Sequence, residues 1–124
     1  MMELKMSTLR KTWIFDLDGT LVVHNGYRED GDRLLPGVAE FFQTIPAEDF
    51  ILILTARPKE YADMTIEFLK SAGIRYNEIM FDIPVGERLL FNDDKPWGVT
   101  ASYAVRLKRN EGLSDVHVTI EENL

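Results

Sequence analysis

A run of five consecutive apolar residues, Phe50–Leu54, constrains the fold of this chain more than any other feature. A strand that is apolar at every position is typical of a parallel sheet covered on both faces. The run ends at Thr55, and Pro58 suits the first turn of a helix that we expect over residues 58–72, with Gly73 at its C-terminal cap. The sequence therefore predicts an α/β protein.

Further strands and helices alternate along the chain. A first buried strand is expected at 12–15, and a helix follows Pro36-Gly37 and runs to about Thr44. Later expectations are strands at 79–81 and 89–91, a helix from 96 to about 103, and either an edge strand or a partner-contacting extension at 114–124. This alternation predicts one Rossmann-like three-layer domain over residues 1–124, with an open parallel sheet and right-handed crossovers.

Size and composition fit a single globular domain. The chain has 124 residues, of which 45% are hydrophobic and 28% are charged. A formal charge of -7 argues against a nucleic-acid partner, and the one basic cluster, at residues 106–109, is expected to be a solvated face. The chain has no cysteine and no apolar stretch of membrane-spanning length. We therefore expect a cytoplasmic protein without a membrane partner.

The first strand ends in Asp16-Leu17-Asp18-Gly19-Thr20, which places two carboxylates and a tight turn at its tip. Such a pair can bind a hard divalent cation such as Mg²⁺, while one carboxylate attacks an electrophile and the other exchanges protons. The alternative is a simple acidic turn, because Asp-Gly is among the commonest turn dipeptides. A polar excursion at 27–33 then predicts a small flap after the first strand.

Other polar side chains follow the ends of other predicted strands. Thr55 follows one strand, and Asp93 and Asp94 follow another. Parallel strands present their C-terminal ends along one edge of a sheet, and ligands bind along that edge. We therefore expect these side chains to meet Asp16 and Asp18 in one site.

In order, spacing and strand context, these motifs resemble the haloacid dehalogenase superfamily of phosphatases and phosphotransferases. The segment 16–20 is similar to the first motif of that family, Thr55 to its second, and the acidic pair Asp93-Asp94 to its fourth. The resemblance covers residues 13–97. It implies that Asp16 attacks phosphorus, that Asp18 is the general acid and then the general base, and that Mg²⁺ is the cofactor.

The resemblance also implies ligands for the metal and for the phosphoryl group. It assigns the metal to the Asp16 carboxylate, the backbone carbonyl of Asp18 and the Asp93 carboxylate, with Asp94 orienting the ligand shell. The Thr55 hydroxyl and the Ala56 amide would bind phosphoryl oxygens near a helix N-terminus. Thr20 would support the turn, and Arg57 is either a substrate contact or an exposed residue at the helix start.

The chain departs from the family in its third motif, which is usually a lysine. We assign this role to Arg88, because a guanidinium stays charged and can grip a phosphate with two parallel bonds. Lys95 is the rival, and a surface arginine beside Glu87 is the alternative for Arg88.

Loop lengths leave no room for a cap domain, since 15 residues separate Thr20 from Pro36 and 32 separate Thr55 from Arg88. An uncapped site is open, so selectivity must come from a large substrate, a partner or a neighbouring subunit, which allows a homo-oligomer. We expect a Mg²⁺-dependent phosphomonoesterase acting on a small phosphorylated metabolite such as a sugar phosphate.

The sequence is compatible with three other functions. The first is a polynucleotide phosphatase, which the net negative charge of the chain disfavours, or a protein phosphatase. The second is a family member that has lost catalysis and only binds, suggested by the missing lysine. The third is a signalling receiver, which would carry its phosphorylated aspartate on the strand that here ends in Thr55.

Overall fold

A computed structural model describes residues 1–124 and contains five strands and two α-helices. The strands are β1 (Met2–Met6), β2 (Thr12–Asp16), β3 (Phe50–Leu54), β4 (Glu78–Met80) and β5 (Val116–Ile120), and the helices are α1 (Val38–Thr44) and α2 (Ala62–Ser71). Single 3₁₀ turns lie at Gly26–Arg28 and Lys59–Tyr61. Neither α-helix combines the length and the apolar character needed to cross a membrane.

All strand pairs are parallel, and they form two separate sheets. The main sheet has the order β2-β3-β4, and the second sheet pairs β1 with β5. In the main sheet Asp16 is in register with Leu54, and Leu54 with Met80. The C-terminal ends of these three strands therefore meet at one edge, where Asp16 is the last residue of β2.

The core lies against one face of the main sheet. Ile51 and Ile53 of β3 are fully buried on that face, in register with Trp13 and Phe15 of β2. The Phe15 ring lies 4.7 Å from that of Phe42 on α1. On the opposite face Ile14 is 49% exposed and Met80 is 50% exposed, so apolar burial is concentrated on the side of α1.

Several predicted elements are confirmed. Strands form at Thr12–Asp16, Phe50–Leu54 and Glu78–Met80, and α1 ends at Thr44 as expected. The helix predicted over 58–72 is present as a 3₁₀ turn followed by α2. Of the two alternatives for the C-terminal segment, the strand is correct, but β5 pairs with β1, a strand that the sequence analysis did not predict.

The strand predicted at 89–91 and the helix predicted at 96–103 are wrong, because residues 81–115 contain no helix or strand. Leu89 is 81% exposed and Phe91 is 89% exposed, and neither is paired with the open edge of β2. A three-residue apolar patch needs a partner strand to form a strand of its own; β4 is equally short but pairs with β3, whereas residues 89–91 have no partner.

We predict that Leu69→Ala lowers the free energy of unfolding by about 2–5 kcal/mol, because it leaves a cavity in the core. Leu69 on α2 is fully buried, whereas Met64 on the same helix is 43% exposed. Met64→Ala is the matched control and should change stability by less than about 1 kcal/mol. Urea denaturation measures both values, and equal losses would contradict the placement of α2.

Candidate active site

A tight turn follows β2 and places the two aspartates. The carbonyl oxygen of Leu17 accepts hydrogen bonds from the backbone N–H groups of Thr20, Leu21 and Val22, so the chain folds around this one group. Gly19 has φ 84°, a left-handed conformation that a side chain would strain. Leu17 itself is buried, which anchors the turn to the core and leaves Asp16 and Asp18 on either side of it.

Asp16 faces a small open cavity of about 290 Å³ that Asp18, Gly19, Thr20 and Arg109 also line. Its Oδ2 accepts a hydrogen bond from the Thr20 hydroxyl at 3.0 Å, and its Oδ1 accepts one from Nη1 of Arg88 at 3.0 Å. The Asp16 side chain remains 39% exposed. A carboxylate has about four lone-pair sites, so Asp16 keeps the capacity to contact a molecule in the cavity.

Asp18 is held very differently from Asp16. Nε of Arg57 donates to its Oδ2 at 3.0 Å, and Nη2 of Arg57 donates to its Oδ1 at 3.0 Å. These two parallel bonds form a bidentate ion pair, the strongest common geometry for these groups. The Asp18 side chain is 16% exposed, so it reaches the cavity while the buried Arg57 guanidinium fixes its orientation.

Arg57 also binds a third acidic side chain, Asp32. Its Nη1 and Nη2 donate to the two Asp32 carboxylate oxygens at 3.0 and 2.7 Å, and Nη1 donates to the Thr65 hydroxyl at 2.8 Å. Burial by itself lowers the pKa of Arg57, but the hydrogen bonds to Asp32 and Asp18 raise it above its ordinary value. Arg57 therefore stays a cation at any working pH, and its stabilising contribution is lost only as the pH rises through that raised value.

The expectation that Arg57 lies exposed at the helix start is wrong, because its side chain is 1% exposed. Its other expected role, a substrate contact, also conflicts with this geometry. A guanidinium has five N–H donors, and all of them are engaged by Asp18, Asp32 and Thr65. No donor is left to grip a phosphate.

Thr55 and Ala56 follow β3 at the same sheet edge, as expected. Thr55 is fully buried, and its hydroxyl accepts a hydrogen bond from the Arg57 backbone N–H at 3.1 Å. Neither residue lines the cavity at Asp16. The predicted help from a helix dipole at Ala56 is wrong, because the α-helix begins only at Ala62.

Asp93 and Asp94 do not join the other acidic residues. Neither lines the cavity at Asp16, and Oδ1 of Asp94 accepts the backbone N–H of Ala101 at 3.2 Å. No group of three or more His, Cys, Asp or Glu side chains is placed to share a metal ion. The predicted four-residue magnesium site is therefore not assembled, and the reason is that the strand expected to carry Asp93 to the sheet edge does not form.

Two oxygens at the end of β2 do suit Mg²⁺. They are the exposed carboxylate of Asp16 and the backbone carbonyl of Asp18, which accepts no hydrogen bond. Mg²⁺ keeps several of its waters and needs only one or two protein carboxylates. A magnesium ion at this turn would therefore take few protein ligands and keep most of its waters, without Asp93 or Asp94.

Sequence reasoning missed two residues that the fold brings to this site. Asp32 lies in the polar segment that predicted only a flap, and no local signal distinguishes it from its acidic neighbours. Arg109 was expected on a solvated face, yet it lines the cavity beside Asp16, and the backbone N–H of Asn110 donates to the Gly19 carbonyl at 2.9 Å. Arg109 therefore places positive charge at the cavity, and Arg88 places a second positive charge beside the Asp16 carboxylate.

Comparisons with protein-family models, with curated proteins and with solved structures find no match to this chain. Any inference about the function of this site therefore depends on its own residues and their geometry.

We predict that Arg57→Met lowers the free energy of unfolding by about 3–5 kcal/mol, because it leaves the carboxylates of Asp18 and Asp32 buried without a counterion. Arg28→Met, at an exposed position of the same region, should change stability by less than about 0.5 kcal/mol. Chemical denaturation measures both. A small effect for Arg57→Met would mean that the buried network does not hold the turn.

Proposed function

We propose that this chain is a phosphomonoester hydrolase that works through an aspartyl-phosphate intermediate, as a capless member of the haloacid dehalogenase superfamily with its three-layer Rossmann-like fold. The observation that carries the proposal is that the two carboxylates at the end of β2 differ in their partners and in their exposure. Asp16 faces the cavity with an arginine at 3.0 Å, while Asp18 is fixed beside it by a buried ion pair. A covalent mechanism needs one acid as nucleophile and a second, oriented acid as proton donor.

In the first step an Asp16 carboxylate oxygen forms a bond to phosphorus. The bond between phosphorus and the ester oxygen breaks, and its electron pair stays on that oxygen. The oxygen takes a proton from Asp18, which enters the step protonated and leaves it as the carboxylate that pairs with Arg57. In the second step water attacks phosphorus and gives a proton back to Asp18, while the bond from phosphorus to Asp16 breaks. Inorganic phosphate and an alcohol are the products, and both aspartates return to their starting states.

Positive charge supports this chemistry at the cavity. Arg88 pairs with Asp16 and is 36% exposed, so the same guanidinium can contact a phosphoryl oxygen as the new bond forms. Arg109 lines the cavity itself. The Asp16 carboxylate and the Asp18 carbonyl are the groups that would hold Mg²⁺, which would supply Lewis-acid stabilisation of charge on the phosphoryl oxygens.

A small phosphorylated metabolite such as a sugar phosphate is the substrate class that we propose. The cavity of about 290 Å³ is open, and its size suits a small phosphorylated molecule. The formal charge of -7 disfavours a polynucleotide.

One observation favours a second candidate, a binding protein of the same fold without catalysis. No group of three acidic or histidine side chains is placed to hold a metal ion. Such a protein would bind phosphate esters or Mg²⁺ and release no inorganic phosphate, so a turnover assay combined with metal titration separates the two candidates.

We predict that the protein with Mg²⁺ releases phosphate from an aryl phosphate, and that Asp16→Asn lowers the rate by at least about 10³-fold because the nucleophile is lost. Asp63→Asn, a change of the same kind on α2, is the matched control and should keep the wild-type rate. Phosphate release measured colorimetrically gives both rates. Turnover retained in Asp16→Asn would exclude Asp16 as the nucleophile.

We also predict that Arg88→Met lowers kcat by about 10²–10³-fold, the usual cost of removing one donor that binds the developing charge. Lys95→Met should leave kcat close to wild type. Lys95 lines a second, larger cleft that Asp16 and Thr20 also border. Of the two basic residues, Arg88 is the one with a direct contact to Asp16. Steady-state kinetics on the two variants decides between them, and the reverse order of effects would move the third-motif role to Lys95.

A further inference from the structure

The buried guanidinium of Arg57 joins two carboxylates of very different exposure. Asp18 is 16% exposed and reaches the cavity, whereas the Asp32 side chain is 3% exposed and lines no part of it. Both carboxylates are held by paired bonds, so the flat guanidinium is fixed between them. Any rotation of the guanidinium would break bonds to Asp18 and Asp32 together.

Aromatic and hydroxyl groups fix the guanidinium further. The Tyr27 ring lies 4.1 Å from Cζ of Arg57, a cation–π contact, and the Tyr27 and Tyr61 rings meet edge to face with centroids 5.0 Å apart. The Thr65 hydroxyl accepts from Nη1 and donates to the Tyr61 carbonyl at 2.8 Å. Tyr27 and Asp32 both belong to the segment after the β2 turn, so this segment, together with α2, sets the position of Arg57.

We infer that Asp32 is a positioning residue for Asp18, acting through Arg57. This inference rests on the proposed function, in which Asp18 passes a proton to the leaving oxygen. Asp32 lies outside the cavity and touches no substrate, so it acts only by holding Arg57 in the orientation that aims the Asp18 carboxylate. Without Asp32 the guanidinium loses two of its five hydrogen bonds, and the Asp18 carboxylate loses its fixed direction.

The chemistry of the leaving group supplies a readout that is specific to this role. An alkoxide is a poor leaving group and needs the proton from Asp18 as the bond to phosphorus breaks. A 4-nitrophenolate leaves readily without that proton. A misaligned Asp18 therefore slows the hydrolysis of an alkyl phosphate far more than that of an aryl phosphate, whereas a general loss of folded protein slows both equally.

The experiment measures kcat and KM of the full chain with 4-nitrophenyl phosphate and with glycerol 2-phosphate. We expect Asp32→Asn to lower kcat for the alkyl ester by about 10²-fold or more and to lower kcat for the aryl ester much less, with little change in KM. Asp30→Asn, at an exposed position of the same segment, is the control and should match wild type for both esters. Equal losses for the two esters, or no loss, would overturn the inference.

A double variant shows whether Asp32 acts through Asp18. Asp18→Asn should show the same preference for the aryl ester, and adding Asp32→Asn to it should not change that preference further. Independent, multiplying effects would overturn the inference. If Asp32→Asn does not fold, Tyr27→Leu removes the ring that packs against the Arg57 guanidinium and should shift the ester preference in the same direction. An unchanged preference in that variant would overturn the inference.

A failure of the proposed function looks different from a failure of this inference. If the wild-type protein hydrolyses neither ester, the function is wrong and the role of Asp32 is overturned with it. If the wild-type protein hydrolyses both and Asp32→Asn leaves their ratio unchanged, the function stands and only the role of Asp32 is overturned.

Discussion

The side chain of Arg57 lies where three parts of the chain meet: the turn after β2, the segment that carries Asp32, and the start of α2. A buried guanidinium is costly unless its donors are satisfied, and here Asp18, Asp32 and Thr65 satisfy all five. The arrangement therefore fixes more than one side chain. It determines where the turn lies relative to the sheet edge, and which of the two turn aspartates is the more exposed.

That constraint gives the two aspartates different surroundings although they lie only two residues apart. Asp18 has both oxygens bonded to one rigid partner, which fixes the orientation of its carboxylate at the cavity. Asp16 is bonded on each oxygen to a different side chain, Thr20 and Arg88, and is the more exposed of the two. An exposed carboxylate beside a cation suits a nucleophile that attacks an anionic ester, because the cation offsets repulsion between the two anions.

Local patterns predicted the parts of the structure that depend on local physics. The apolar run of β3, the strand leading to Asp16 and the turn at Gly19 all follow from side-chain patterning and backbone preference over a few residues. The bidentate partner of Asp18 did not follow, because the burial of Arg57 depends on Tyr27 and Asp32 reaching it from another part of the chain. The predictions for residues 81–115 were wrong for a related reason. A short apolar patch does not specify which sheet edge it pairs with, and these residues form no helix or strand.

The most direct test of the central claim, that Asp16 and not Asp18 attacks phosphorus, is to trap the intermediate. The protein is mixed with an aryl phosphate and Mg²⁺, quenched in acid within the first turnovers, digested and sequenced by mass spectrometry. The phosphoryl group should be found on Asp16 in the wild-type protein and in Asp18→Asn, where its hydrolysis is slowed and more of it accumulates. A phosphoryl group on Asp18, or none on any aspartate while phosphate is released, would contradict the claim.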